Sequence, residues 1–222
     1  MQITTLIFDV DGTLLDTFHN IRALKAAFAA RYPQRVNDFS EEFYLKAFSS
    51  TVQQTLTQMG IPEAERSDFL AFANGFLTAE ERRQPPFAGM TQALAKLRTA
   101  GFRLGLNTSR VAHLLAEAMD ELQPEIFAHF EEDLIITRDM VPNQKPAPDS
   151  LLHLMERSGL AQEELLFLGD SDADKLCAEA AGVPFAWAGW GLHSTPESKR
   201  QSDMCFETMT ELLAYLGVAI ER

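Results

Sequence analysis

Near its start the chain of 222 residues reads Ile3-Thr4-Thr5-Leu6-Ile7-Phe8-Asp9-Val10-Asp11-Gly12-Thr13. The apolar, partly β-branched run over residues 3–10 predicts a buried strand. Asp9 near the end of this run, and Asp11 and Gly12 just after it, lie where such a strand should end. In open α/β sheets, ligands bind beyond the carboxyl ends of the strands. The stretch therefore predicts a buried strand that leads directly into a polar site.

Strand-like runs recur along the chain and alternate with helical patterns. The further runs are residues 102–107, 134–137, 165–168 and 183–188. Among the helical patterns, apolar residues recur at i, i+3, i+4 and i+7 from Met90, Pro148 opens a helix that should end near Gly159, and Thr208 and Glu211 form a capping-box pattern. This alternation predicts an α/β fold with a doubly wound, Rossmann-like parallel sheet.

The alternation fails between residues 17 and 86. That stretch has no strand-like run and holds half of the sixteen phenylalanines, interleaved with Ala, Leu, Glu and Gln. It predicts a helical insertion with a small core of its own, and Pro85-Pro86 and Gly89 mark the return to the sheet. We therefore expect an α/β core of residues 1–16 and 87–222 and a helical domain of residues 17–86.

The composition is that of an ordinary globular protein, with 46% hydrophobic and 23% charged residues. The formal net charge of −13 disfavours nucleic acid and anionic membranes as partners. No apolar run approaches the roughly 18 residues of a membrane span, and the N-terminus lacks the features of a secretion signal. Cys177 and Cys205 suggest neither a disulfide framework nor a zinc site. A cytoplasmic location is expected, and the oligomeric state is left open.

Four polar clusters follow predicted strands. They are Asp9-Val10-Asp11-Gly12-Thr13, Thr108-Ser109-Arg110, Lys145-Pro146 and Asp170-Ser171-Asp172-Ala173-Asp174. Any one of them is also typical of a turn. All four at strand ends favour a common site of carboxylates, hydroxyls and one lysine at one edge of the sheet.

The residue types in these clusters suit metal-assisted chemistry on phosphate. In extended backbone, Asp9 and Asp11 would project to one side and repel each other unless a hard cation lay between them. Mg²⁺ takes oxygen ligands and commonly uses one or two carboxylates, and Asp170 would supply another. A carboxylate that attacks phosphate needs such a cation, together with Lys145, to offset the developing charge.

In order and spacing, the clusters resemble the four motifs of the haloacid dehalogenase superfamily. The matching segments are residues 9–17, Thr108, residues 145–149 and residues 169–174. Residues 180–183 and Trp190-Gly191 are similar to segments of phosphoglycolate-phosphatase-like members. The resemblance covers about residues 1–17 and 85–216, and it implies that the insertion is a helical cap.

The resemblance also implies a role for each acidic residue of the site. Asp9 would be the nucleophile and a Mg²⁺ ligand, and Asp170 would be another ligand. Asp11 would be the general acid and base, with its backbone carbonyl on the metal. Asp174 would orient the ligands and Asp172 would face solvent.

Thr108 and the Ser109 backbone would hold the transferring phosphoryl group, and Lys145 would neutralise it. The chain departs from the pattern of its relatives at two places. Arg110 stands where a lysine is commoner, and residues 45–51 lack the glycine of the usual specificity loop. The second departure leaves the substrate open, although not the chemistry.

These features predict a Mg²⁺-dependent phosphatase that acts on a small phosphorylated metabolite through an aspartyl-phosphate. Dehalogenation is disfavoured because Asp11 is present and only an ester oxygen needs a proton donor. The alternatives are a sugar phosphomutase, weakened by the absence of arginine in residues 47–54, and a phosphonate hydrolase, which would need a cap lysine such as Lys25 or Lys46. A non-catalytic binding protein is disfavoured by the complete set of motif residues.

Overall fold

The computed structural model describes residues 3–47, 52–191 and 204–219. The chain divides into two compact units, which are Met1–Asp16 with Pro86–Arg222, and Thr17–Pro85. We call them the sheet unit and the helical unit. Over the described ranges, no helix combines the length and the apolar character needed to span a membrane.

The sheet unit is built on parallel strands. In the described part they are β1 Thr5–Phe8, β2 Arg103–Asn107, β3 Ile135–Ile136, β4 Leu165–Gly169, β5 Phe185–Ala188 and β6 Cys205–Phe206. Their order is β3-β2-β1-β4-β5-β6, and all neighbours run parallel. The predicted doubly wound parallel sheet is therefore confirmed.

Strand β1 lies between β2 and β4 and is covered on both faces. Leu6 and Phe8 pack into one apolar cluster, Ile7 packs into the other, and all three are fully buried. A strand buried on both faces must be apolar at every position rather than at alternate ones. This requirement explains the continuous apolar run Leu6-Ile7-Phe8 in the sequence.

The helical unit contains only helices and turns among its described residues, as predicted. The helices are α1 Phe18–Arg31, α2 Glu41–Ala47, α3 Val52–Gln58, α4 Arg66–Asn74 and α5 Ala79–Arg82. Helices α1 and α4 pack together over a core that includes Phe28, Leu56 and Phe69. Residues 48–51, part of the predicted specificity loop, lie outside the described residues.

Helices flank the sheet in the other unit. Among the described residues they are α6 Met90–Thr99, α7 Ala112–Glu117, α8 Pro124–Phe127, α9 Asp149–Ser158, α10 Asp172–Ala181 and α11 Met209–Tyr215. The apolar face predicted for α6 is buried, and α9 ends at Ser158 with Gly159 as its C-cap, near the predicted end. Only half of the predicted capping box forms at α11, because the Glu211 carboxylate accepts from the Glu207 N–H rather than from that of Thr208.

The two ends of the helical insertion are fastened together on the sheet unit. Leu15, just before the insertion, forms an antiparallel bridge with Pro86, just after it. The N–H of Phe87 also donates to the carbonyl of Leu14 at 3.1 Å. The chain therefore leaves and re-enters the sheet unit at neighbouring points.

Candidate active site

Three buried carboxylates meet at the carboxyl ends of β1 and β4. Asp9 follows β1, Asp170 follows β4, and Asp174 lies in the first turn of α10. One oxygen of each lies within 4.8 Å of the other two, and the residues are 6%, 1% and 1% exposed, respectively. Because β1 and β4 are parallel neighbours, their carboxyl ends bring Asp9 and Asp170 together. We call these three side chains the acidic cluster.

Lys145 joins the acidic cluster to strand β2. Its ammonium donates to Asp9 Oδ1 at 2.7 Å and to Asp174 Oδ1 at 2.5 Å. It also donates to the backbone carbonyl of Asn107 at 3.1 Å. The Lys145 side chain is only 6% exposed, so these bonds replace the water that its charge would otherwise require. Here the structure brings together the predicted Asp9, Lys145 and Asp170.

The acidic cluster carries more negative charge than Lys145 can balance. Burial raises the pKa of Asp9, Asp174 and Asp170 raise it further, and the nearby Lys145 opposes them without cancelling the shift. Burial alone would lower the pKa of Lys145, but Asp174 and Asp9 outweigh it and raise that pKa, so the ammonium stays charged. Three carboxylates facing one ammonium leave an excess of buried negative charge, which is costly unless another cation compensates it.

The acidic cluster fits a hard divalent cation. Its donors, from Asp9, Asp170 and Asp174, are all carboxylate oxygens, and they converge on one point. Oxygen donors of this kind suit Mg²⁺ or Ca²⁺ rather than metals that prefer sulfur or nitrogen ligands. Charge and donor chemistry therefore agree that these residues could bind a metal ion.

Asp170 is enclosed by the first motif on one side and by Trp190-Gly191 on the other. The Thr13 hydroxyl donates to Asp170 Oδ1 at 3.2 Å, and the indole N–H of Trp190 donates to the Thr13 carbonyl at 2.8 Å. A Cβ at Gly12 would lie 2.5 Å from Asp170 Oδ2, and one at Gly191 would lie 2.3 Å from the Asp170 Cβ. Glycine is thus required at both positions for the backbone to approach so closely.

Asp174 is oriented by the N-terminal cap of α10. Its Oδ2 accepts from the Ser171 hydroxyl at 2.5 Å and from the Ser171 N–H at 3.2 Å. The Ser171 hydroxyl in turn accepts from the Asp174 N–H at 3.3 Å. One Asp174 oxygen is therefore held by Ser171 and the other by Lys145.

Thr108 and Ser109 lie beyond the end of β2, beside Lys145. Thr108 is buried, its N–H donates to the Ile136 carbonyl at 3.0 Å, and its hydroxyl accepts from the Arg110 N–H at 3.1 Å. Ser109 is exposed. Together with Lys145 and Arg138, both residues line a small cleft. All of the predicted site residues except Asp11 thus belong to the acidic cluster or to this cleft.

The Asp11 carboxylate faces Arg110 and is not one of the three converging groups. Arg110 Nε donates to Asp11 Oδ2 at 2.8 Å, and Arg110 Nη2 donates to Asp11 Oδ1 at 2.6 Å. The sequence predicts that Asp9 and Asp11 project to one side of an extended backbone, but β1 ends at Phe8 and this geometry does not continue to Asp11. The sequence identifies Arg110 only as a departure from a commoner lysine, and it does not predict the pairing with Asp11.

Comparison with known proteins assigns the family. Residues 6–188 match the model of the haloacid dehalogenase-like hydrolases. The chain belongs to this family. It is 29% identical to the phosphoglycolate phosphatase of Escherichia coli strain K12, over 98% of this chain and 94% of that protein. It is 26% identical to phosphoglycolate phosphatase 1 of Pseudomonas aeruginosa, over 97% of this chain and 80% of that protein.

A solved structure extends the match to the fold of this haloacid dehalogenase-like hydrolase. A subfamily IA, variant 1 hydrolase of the same superfamily from Geobacter sulfurreducens has a TM-score of 0.66 and 26% identity, over 97% of each chain. The predicted resemblance to the phosphoglycolate-phosphatase-like members is confirmed by these matches. The chain is accordingly an enzyme of the phosphoric monoester hydrolase class.

Proposed function

We propose that this haloacid dehalogenase-like phosphatase hydrolyses a small phosphate monoester in two steps, with Mg²⁺ as its cofactor and Asp9 as its nucleophile. The observation that carries the proposal is the contact of Lys145 with Asp9 inside the acidic cluster. This contact puts a carboxylate and a fixed positive charge side by side at the carboxyl edge of the sheet. A nucleophile that attacks an anionic phosphoryl group requires such an arrangement.

In the first step, an Asp9 carboxylate oxygen forms a bond to phosphorus while the ester P–O bond breaks. The bonding electron pair leaves with the ester oxygen, which takes a proton from the carboxylic acid form of Asp11. An alkoxide is strongly basic, so this proton transfer accelerates the departure of an alkyl group more than that of a stable phenolate.

In the second step, Asp11, now a carboxylate, removes a proton from a water molecule. The water oxygen bonds to phosphorus and the bond between phosphorus and the Asp9 oxygen breaks. Its electron pair returns to the Asp9 carboxylate, and inorganic phosphate leaves. Asp11 is then protonated again, and both residues are back in their starting forms.

Asp9, Asp170 and the backbone carbonyl of Asp11 would hold Mg²⁺, while Asp174 orients the site through Ser171 and Lys145. The ion would offset the negative charge that builds up on the phosphoryl oxygens. We assign the phosphoryl group to Thr108, the Ser109 backbone and Lys145. The common cleft that these three residues line supports this assignment.

We propose 2-phosphoglycolate as the first substrate to test, and the helical unit as the cap of this enzyme. The names of the Escherichia coli and Pseudomonas aeruginosa relatives support this choice of substrate. The identity of 26% to 29% supports the reaction class better than it supports one particular substrate. A panel of small phosphate esters should therefore be measured beside 2-phosphoglycolate.

The test measures phosphate release from this panel by the wild-type enzyme, with Mg²⁺ and with excess chelator. The Asp9→Asn variant is measured on the same panel with Mg²⁺. We expect release that requires Mg²⁺, and loss of at least about 10³-fold in Asp9→Asn on every ester, because the nucleophile is absent. Mass spectrometry of quenched wild-type enzyme should detect a phosphoryl group on Asp9. Activity that persists in excess chelator would contradict the metal assignment, and an active Asp9→Asn would contradict the nucleophile.

The same panel separates the rival reactions. A phosphomutase would convert a sugar phosphate to its isomer and release little phosphate, and a binding protein would release none. Phosphate release in many turnovers favours the phosphatase.

A further inference from the structure

Arg110 is the residue of this site to which neither its motif nor the two-step reaction assigns a role. Its backbone is fixed at both ends, because its N–H donates to the Thr108 hydroxyl at 3.1 Å and its carbonyl accepts from the Arg138 N–H at 3.0 Å. Its guanidinium donates to both oxygens of Asp11. The Arg110 side chain therefore spans from the loop after β2 to the loop after β1.

We infer that Arg110 is a positioning residue for the phosphatase reaction, which acts by fixing the direction of the Asp11 carboxylate. The inference rests on the proposed function, since it assumes that Asp11 is the acid and base. It adds a residue to which the two-step reaction itself gives no role. The guanidinium would act on the rate through Asp11, which it holds by two hydrogen bonds.

The geometry of the pair supports orientation rather than a simple exposed ion pair. Two parallel N–H···O bonds fix the plane of a carboxylate as well as its distance. The Arg110 side chain is 11% exposed, whereas that of Asp11 is 34% exposed. Asp11 is thus the more exposed partner, and the enclosed arginine limits its rotation.

The pairing takes up part of the hydrogen-bonding capacity of the Asp11 carboxylate. A carboxylate has about four lone-pair positions on its two oxygens, and the two bonds from Arg110 use one position on each oxygen. Proton transfer in the transition state depends on short, aligned contacts, so an Asp11 free to rotate would transfer its proton less efficiently.

Substitution of Arg110 should therefore affect alkyl and aryl esters differently. We would measure kcat and KM on 2-phosphoglycolate and on p-nitrophenyl phosphate for wild type, Arg110→Met and Arg110→Lys. For Arg110→Met we expect kcat on the alkyl ester to fall about 10- to 100-fold, part of the range for general acid catalysis, with KM changed less than about threefold. On the aryl ester, kcat should fall about threefold or less. Arg110→Lys should recover part of the loss, because a lysine keeps the charge but cannot hold both oxygens.

A second comparison tests whether Arg110 acts through Asp11. In an Asp11→Asn background, Arg110→Met should change the remaining rate by less than about twofold, since residues that act as one unit are not additive. The matched control is Arg103→Met, which removes another arginine–carboxylate pairing, with Glu131 and Asp133, at the opposite end of β2. It should lower stability without changing the ratio of the alkyl rate to the aryl rate.

Two results would overturn the inference. An equal rise in KM on both esters, kept in the Asp11→Asn background, would mean that Arg110 binds the phosphoryl group directly. Unchanged kinetics in Arg110→Met would mean that the pair is only structural. If Arg110→Met fails to fold, Arg110→Lys and its combination with Asp11→Asn answer the same question. A wild type that releases no phosphate from either ester would contradict the proposed function itself, which separates that failure from failure of the inference.

Discussion

At residue 12 the backbone passes close to Asp170 with a φ of +82°, in the left-handed region. An added Cβ would lie 2.5 Å from Asp170 Oδ2, well inside van der Waals contact. Gly101 has a similar φ of +92°, but an added Cβ there would meet nothing within 4 Å. A side chain at either glycine would therefore have a similar backbone cost, but only a side chain at Gly12 would collide with the acidic cluster.

We predict that Gly101→Ala lowers the free energy of unfolding by about 1–2 kcal/mol and leaves phosphatase activity unchanged. Gly12→Ala should have the same backbone cost and should also displace Asp170, with a loss of activity of about 10-fold or more. Denaturant unfolding and phosphate release with Mg²⁺ measure the two effects. Equal activity in both variants would show that Asp170 tolerates the displacement.

Sequence reasoning found the site residues whose position follows from a strand end. Asp9 and Asp170 could be placed together because each follows a buried apolar run of a parallel sheet. The pairing of Arg110 with Asp11 could not be predicted, because it joins residues 99 positions apart and depends on the direction of two side chains. Periodicity gives the location of the backbone but not where a long arginine side chain points.

At the scale of an element, the first turn of α10 combines two tasks. Ser171 caps the helix by accepting from the Asp174 N–H, and the same hydroxyl donates to the carboxylate of Asp174 in the acidic cluster. Thr208 caps α11 in a comparable way by accepting from the Glu211 N–H at 3.2 Å. Over the part of the chain that the structure describes, the Thr208 cap makes no hydrogen bond to the acidic cluster, so it can serve as a matched control.

We predict that Ser171→Ala and Thr208→Ala each lower the free energy of unfolding by about 0.5–2 kcal/mol, the usual cost of losing an N-cap. Only Ser171→Ala should raise the Mg²⁺ concentration needed for half-maximal activity, by about 10-fold or more, because Asp174 loses its orienting bonds. The measurement is activity against Mg²⁺ concentration, beside unfolding curves for both variants. A parallel shift in the Mg²⁺ requirement of Thr208→Ala would mean that the effect is one of general stability.

A helix or strand could be predicted from the sequence where its apolar pattern is long enough. Helix α6 has its four buried residues where the spacing from Met90 indicated. Strand β6, Cys205–Phe206, is not predicted because its short apolar run is bounded by Asp203 and Glu207. The predicted strand over residues 3–10 is observed only at Thr5–Phe8, since the last apolar position, Val10, already belongs to the turn around the site.

At the scale of the whole molecule, the two units have separate apolar cores. Phe69 is fully buried in the core of the helical unit, and Leu106 is fully buried in a core of the sheet unit. Both tryptophans, Trp187 and Trp190, belong to the sheet unit. Tryptophan fluorescence therefore reports on one unit, while far-ultraviolet circular dichroism reports on the helices of both.

We predict that Phe69→Ala destabilises the helical unit by about 3–5 kcal/mol, the usual cost of removing a buried phenylalanine. In the Phe69→Ala protein, circular dichroism should begin to change at a lower denaturant concentration than tryptophan fluorescence. In the control Leu106→Ala, which should cost about 2–5 kcal/mol, the fluorescence transition itself should move to lower denaturant. Coincident transitions in Phe69→Ala would show that the two cores unfold as one cooperative unit.

The bridge between Leu15 and Pro86 makes the helical insertion a module that can be exchanged. Because Leu15 and Pro86 already lie side by side, any insertion between them forms a closed loop on the sheet unit. The entropic cost of closing such a loop, expressed as a free energy, grows slowly, by about 0.6 kcal/mol for each doubling of the loop length. Insertions of very different size could therefore be grafted between residues 16 and 86 while the strands that carry Asp9 and Asp170 keep their register. A new substrate specificity could then arise by replacement of the insertion, while the residues that transfer the phosphoryl group stay unchanged.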